Sequence, residues 1–150
     1  MHNKHPFIFS ATSWIGEGKI QLNRVEEELI FYTRWNILPR DDHGLITCSQ
    51  EIQVKGLSDV MTNQFFFSDV NPTGFLIELE NQALGKVAGK GIVSDKVIGW
   101  EFSNPEIGFE GFEFYEKQED DSYLMRAEYA SSEEFRTIIR GKVWKKAVPT

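Results

Sequence analysis

The chain has 150 residues, enough for one domain with a single core, and we treat 1–150 as that domain. Its formal net charge of −7 argues against nucleic-acid partners, whose phosphates need Lys and Arg, and against insertion at anionic membrane surfaces. The single Cys48 cannot form an internal disulfide and no segment is typical of a signal peptide or a membrane span, so we expect a cytoplasmic protein.

The first half of the chain is predicted to form β-strands. Its first candidate strand carries Trp14 followed by Gly16 and Gly18, which would allow a bend. In residues 29–37 and 46–55 apolar and polar side chains alternate, which is typical of strands with one buried face. The turn-forming residues between these segments predict a hairpin.

The second half continues the pattern, with further strand candidates at 65–67, 75–79, 98–102, 112–115, 123–129 and 136–143. Glycines around Phe109 predict a β-bulge there. No helical segment is long enough to cover a sheet, so about ten strands must close on themselves. We predict an all-β, antiparallel up-and-down barrel whose terminal residues 1–6 and 147–150 are flexible.

An early Trp14 on a glycine-containing first strand, followed by successive antiparallel strands, resembles the calycin-like barrels: the lipocalins, the fatty-acid-binding proteins and the nitrobindin-like group. In lipocalins the first-strand Trp closes one barrel end and an Arg from the last strand lies across it. The resemblance implies that Trp14 and Arg140 form such a plug. The nitrobindin-like group binds haem through a late histidine; since no histidine follows His43, we exclude that mode of haem binding. No cofactor is predicted.

The inward faces predict the function. They combine many aromatic side chains with a few polar ones, which is the usual composition of a small-molecule site. We therefore predict that a hydrophobic or amphipathic, lipid-like molecule binds inside the barrel. The predicted ligand-binding residues are Thr33, Trp35, Gln50, Trp100, Phe112, Phe114, Tyr129 and Thr137.

No metal site and no catalytic residue is predicted. We expect His2 and His5 to lie in a solvated N-terminus, and His43 to lie in a hairpin turn beside two aspartates. Cys48 is separated from His43 by roughly 16 Å along an extended strand, too far for a nucleophile–base pair. We expect Cys48 to be a buried core residue.

Two alternatives remain open at this point. The first is a protein-interaction module or homodimer with a solid barrel, which would use an outward patch of Tyr32, Phe66, Tyr115 and Trp144. The second is an isomerase- or cyclase-type enzyme. Its site would be assembled from distant strands around Glu116, Tyr129 and Arg126.

Overall fold

The computed structural model describes residues 5–23, 25–131 and 136–146, and these form ten β-strands and no helix. In chain order the strands are β1 (Ser13–Leu22), β2 (Leu29–Ile37), β3 (Ile46–Val54), β4 (Val60–Asn71), β5 (Gly74–Asn81), β6 (Gly85–Val93), β7 (Val97–Asn104), β8 (Phe109–Lys117), β9 (Tyr123–Ala130) and β10 (Arg136–Lys145).

The ten strands close into one barrel. Each strand pairs antiparallel with its neighbours in sequence, and β1 also pairs with β10, from Trp14–Lys145 to Leu22–Thr137. Closure leaves no strand edge exposed, which explains how a sheet protein can do without covering helices. The predicted all-β, antiparallel up-and-down barrel of about ten strands is confirmed.

The two ends of the barrel differ. At one end, here called the closed end, residues 5–12 pack beside the β2–β3, β4–β5, β6–β7 and β8–β9 turns. The opposite end, here called the mouth, carries the β1–β2, β3–β4, β5–β6 and β7–β8 connections. Among the described residues, it is the closed end that the segment before β1 covers.

Phe7 fills the closed end. Its ring centroid lies 4.8 Å from that of Tyr115 and 5.2 Å from that of Trp14, and it also contacts Trp35 and Tyr123. The next residue, Ile8, is fully buried although its φ of 62° is unusual for a β-branched side chain. Burial of both side chains holds the chain in this conformation, because leaving it would expose them to water.

Of the two residues that the resemblance assigns to a plug, only Trp14 lies at the closed end. Trp14 does lie buried at the closed end, but Arg140 is exposed and pairs with Lys19 of β1. Trp14 pairs with Lys145, five positions along β10 from Arg140, or roughly 17 Å. Arg140 therefore cannot lie across Trp14, and Phe7 and Tyr123 cover it instead.

The expectation that His5 lies in a solvated N-terminus is wrong. Its side chain is only 2% exposed. Since the Ser94 carbonyl can only accept, His5 Nε2 donates to it, and Nδ1 accepts from the Tyr123 hydroxyl at 2.8 Å. These bonds tie the N-terminal segment to β9 and to the β6–β7 turn. His2 and residues 147–150 lie outside the described residues.

Strand β8 faces the opposite way from the prediction. The register with β7 and β9 runs without interruption from Phe109 to Lys117, so the predicted bulge is wrong. Phe112 and Phe114 point outwards, and Phe114 is 39% exposed. Glu113 and Tyr115 face the interior instead, because a one-residue change of phase in a strand exchanges its two faces.

Candidate ligand-binding site

Exposure of the inner wall changes from one end of the barrel to the other. Inward side chains near the closed end, such as Trp35, Phe67 and Tyr123, are completely buried. Those near the mouth are partly exposed although they point into the barrel; they are Ile20, Leu22, Leu29, Ile52, Phe109, Tyr129, Thr137 and Ile139. The apolar inner wall is therefore less completely buried near the mouth than near the closed end.

A carboxyl group lies inside the barrel, at the inner limit of the mouth half. Glu113 of β8 is 5% exposed. Its Oε1 accepts a hydrogen bond from the Tyr115 hydroxyl at 2.7 Å, and its Oε2 accepts from Trp100 Nε1 at 3.3 Å. The Tyr129 hydroxyl also donates to Oε2. We call Trp100, Glu113, Tyr115 and Tyr129 the carboxyl cluster.

Burial sets the protonation of the carboxyl cluster. It raises the pKa of Glu113 because the charged form loses its hydration, while the three donated hydrogen bonds act in the opposite direction. The pKa values of Tyr115 and Tyr129 are raised well above the usual range by burial and then by the negative charge of Glu113. Both phenols therefore keep their protons and stay available as donors.

Tyr129 connects the carboxyl cluster with the mouth. Its ring stacks on Phe109, with centroids 5.7 Å apart and planes inclined by 16°, and it covers Gly111. A Cβ atom at position 111 would overlap the Tyr129 ring, so glycine is required there. Because Tyr129 is partly exposed and its hydroxyl group bonds Glu113, this one residue extends from the mouth to the buried carboxyl cluster.

Polar side chains on four other strands form a second group, here called the amide ladder. Asn81 Nδ2 donates to Asn63 Oδ1 at 3.0 Å, and Asn63 Nδ2 donates to Gln50 Oε1 at 3.1 Å. Gln50 Nε2 then donates to Thr33 Oγ1 at 3.1 Å. Each amide uses one of its two N–H groups in these bonds, so the amide ladder retains further donor capacity.

The two polar groups approach each other across the barrel centre. A cavity of about 10 Å³ is lined there by Thr33 and Gln50 of the amide ladder and by Tyr115 of the carboxyl cluster, together with Trp35 and Met125. This volume is about that of one water-sized probe. The barrel is thus tightly packed at its centre.

The eight predicted ligand-binding residues separate into three sets. Four are buried on the inner wall near the centre: Thr33, Trp35, Gln50 and Trp100. Tyr129 and Thr137 lie on the inner wall near the mouth. Phe112 and Phe114 lie on the outer surface in contact with each other, so their predicted role is wrong. For the other six, ligand binding stays a prediction.

Sequence reasoning missed Glu113, Tyr115, Asn63 and Asn81. The Phe112–Phe114 pair gave a strong apolar alternation, whereas a carboxylate is rarely expected on a buried face. The sequence did contain one usable signal. Phe109, Gly111, Glu113 and Tyr115 also occupy alternate positions, so they could equally form one face of the strand. Only the pairing of β8 with β7 and β9 selects that face.

The structure also changes which residues belong to the predicted outward patch. Tyr32 is exposed, and Phe66 and Trp144 are half-buried on the outer surface. Tyr115 is completely buried inside the carboxyl cluster and does not belong to this patch. The alternative enzymatic residues are separated too, since Glu116 and Arg126 lie on the outer surface, opposite to Tyr129.

The titratable residues of the early turns have structural roles. Asp41 Oδ1 accepts hydrogen bonds from the backbone N–H groups of His43 and Leu45, which stabilises the β2–β3 turn. Cys48 is fully buried, and burial raises the pKa of its thiol to about 12, so it is not an activated nucleophile. Among the described residues, no three His, Cys, Asp or Glu side chains are grouped to hold a metal.

Comparisons with known proteins do not assign a family. No family model matches the chain, and comparison with curated proteins and with solved structures found no significant match. In the described part of the chain no helix could cross a bilayer. The closed barrel of ten antiparallel strands is compatible with a calycin-like fold.

Proposed function

We propose that this protein is a calycin-like barrel that binds a hydrophobic or amphipathic small molecule in the mouth half of its interior. The observation that carries the proposal is the partial exposure of inward apolar side chains there, such as Ile20, Phe109 and Ile139. Exposed apolar surface on a concave wall favours a ligand that removes it from water.

The chemistry of the wall supports an amphipathic ligand. Its apolar part would lie against the mouth residues, where each buried methylene contributes about 0.8 kcal/mol before the entropy of immobilisation is subtracted. Its polar end would meet Tyr129 on one side and Asn63 of the amide ladder on the other, since both are partly exposed. Few, well-placed polar groups of this kind orient ligands in small-molecule sites.

A dye titration tests the proposal. A neutral, environment-sensitive fluorescent dye should bind saturably, and a panel of single-chain lipids should displace it. Thr137→Trp, which places a large ring on the inner wall at the mouth, should weaken dye binding at least about tenfold. The matched control is Ile138→Trp, one position along β10 on the outer face, which should bind as the wild type does.

Absence of a saturable signal across dye and panel would overturn the proposal. Equal weakening by Thr137→Trp and Ile138→Trp would place the dye outside the barrel. Both variants should first be shown to unfold cooperatively, so that a loss of binding is not a loss of fold.

The carboxyl cluster favours a second function, an isomerase- or cyclase-type enzyme. A buried carboxyl group with a raised pKa beside two phenols is an arrangement that acid–base enzymes use. Any ligand found in the panel should then be converted slowly to an isomer detectable by chromatography. Glu113→Gln should abolish conversion while binding persists; an unchanged ligand after long incubation with wild-type protein would exclude this function for that ligand.

A further inference from the structure

The negative and positive charges of the described inner wall lie in different places. Of the described strand residues that face the interior, Glu113 is the only carboxylate. The two inward lysines, Lys117 and Lys145, occupy the last positions of β8 and β10 at the closed end, and Lys117 lies 3.6 Å from Asp121. From the barrel centre to the mouth, the described inner wall carries negative charge and neutral groups.

The hydrogen bonds to Glu113 suit a negatively charged group. All three partners donate, and the Trp100 indole N–H cannot accept. None of the ion pairs between described side chains involves Glu113. Its charged form is therefore held by dipoles alone in a water-poor site, and a cation placed beside it would offset the cost of its burial.

Aromatic rings lie beside the same carboxyl group and direct their N–H and O–H groups at it. Trp100 and Tyr115 lie 5.1 Å apart between ring centroids, and Tyr129 stacks on Phe109 at the side of the mouth. Aromatic faces attract cations and offer no comparable attraction to a carboxylate. The charge and the ring arrangement at this point of the wall therefore favour the same kind of ligand group.

The described mouth connections extend this preference outwards. They carry exposed acidic side chains at Glu26, Glu27, Glu28, Asp59 and Glu106, against the single cation Lys55. Together with the net charge of −7, they produce a negative potential at the entrance. An anionic lipid would be repelled both at the entrance and at the inner limit of the site.

Building on the proposed function, we propose that the polar end of the ligand is a cation, an ammonium group on an apolar chain or ring. The ammonium pairs with the Glu113 carboxylate beside Tyr129 and Trp100, and the apolar part lies along the mouth residues. The free carboxylate of a fatty acid is discriminated against by the like charge.

Three ligands of equal chain length separate the charge from the apolar contribution. Dodecylamine, dodecanol and dodecanoate, each below its micelle concentration at pH 7, compete with the neutral dye. Dodecylamine should bind roughly tenfold or more tightly than dodecanol, and dodecanoate should bind more weakly than dodecanol. Equal affinities of all three, or a preference for dodecanoate, would overturn the cation inference and leave the proposed function standing.

Glu113→Gln supplies the residue-level test. It should reduce the dodecylamine preference to within about threefold of dodecanol. The matched control Glu110→Gln removes the same charge from the same strand on its exposed outer face and should keep the preference. A preference that survives Glu113→Gln, or that Glu110→Gln removes equally, would overturn the assignment to Glu113.

The outcomes distinguish failure of this inference from failure of the proposed function. If neither the dye nor any dodecyl compound binds wild-type protein, the binding function itself fails. If Glu113→Gln does not fold, the wild-type amine, alcohol and carboxylate series still decides whether the site prefers a cation.

Discussion

The Tyr129 hydroxyl donates a hydrogen bond to the Glu113 carboxyl group across the β8–β9 pair. The two residues lie diagonally on neighbouring strands, since Tyr129 pairs with Gly111 and Glu113 pairs with Ala127. Diagonal neighbours on one face of a sheet are within reach of long aromatic side chains. This contact joins the buried centre of the barrel to its mouth.

Gly111→Ala should displace Tyr129. The added Cβ atom would overlap the Tyr129 ring, and overpacking of this kind costs about 1–3 kcal/mol. Urea unfolding followed by tryptophan fluorescence measures the loss. The control Glu110→Ala changes the neighbouring exposed residue and should shift the free energy of unfolding by less than about 0.5 kcal/mol. Equal stability of the Gly111→Ala variant and the wild type would contradict the described packing.

Phe7→Ala should strongly destabilise the barrel, because Phe7 is fully buried and contacts four aromatic rings at the closed end. Removing a buried phenylalanine ring costs about 3–5 kcal/mol. The exposed Leu38, in the β2–β3 connection, gives the control Leu38→Ala. A Phe7→Ala loss no greater than that of the control would mean that residues 5–12 do not close the barrel.

His5 should make stability fall in mild acid. Burial lowers the pKa of His5 in the folded state, so the folded protein takes up a proton less readily than the unfolded chain. The contribution of His5 is complete above the unfolded pKa of about 6.5 and is lost as pH falls towards the lower folded pKa. Unfolding at pH 7.5 and pH 5 should show a smaller loss for His5→Gln than for the wild type; identical losses would contradict this role.

Glu113 should affect the pH dependence of stability in the opposite direction from His5. Its pKa is raised by burial, so its destabilising effect is absent below the unfolded pKa near 4.5 and grows as pH rises through the folded pKa. Compared with wild type, Glu113→Gln should gain relative stability between pH 4 and pH 8. The matched control is Glu110→Gln, which makes the same substitution at an exposed position of the same strand. A stability difference that is constant with pH would show that Glu113 does not titrate inside the barrel.

Much of the fold could be predicted from local patterns. Alternation at 29–37 and 46–55, with turn residues between them, identified strands whose inner faces include Thr33, Trp35 and Gln50. The absence of a helix-sized apolar segment then required closure of the sheet. These properties are set by residues close together in the chain, so a single sequence is sufficient to recognise them.

The candidate site depended on tertiary structure for a physical reason. By local pattern, the inner face of β8 could carry either Phe112 and Phe114 or Glu113 and Tyr115. Both arrangements alternate with a period of two residues, so the local sequence cannot distinguish them. The choice comes from partners on other strands, because Trp100 and Tyr129 lie 13 and 16 residues from Glu113 and bond its carboxyl oxygens.

The N-terminal segment shows the same division at longer range. The sequence alone indicated about ten strands and the need for closure, both of which follow from patterns among neighbouring residues. The burial of His5 was decided by Ser94 and Tyr123, 89 and 118 residues away. Contacts over such separations exist only once the barrel has closed, and they determine which end of the barrel the N-terminal segment covers.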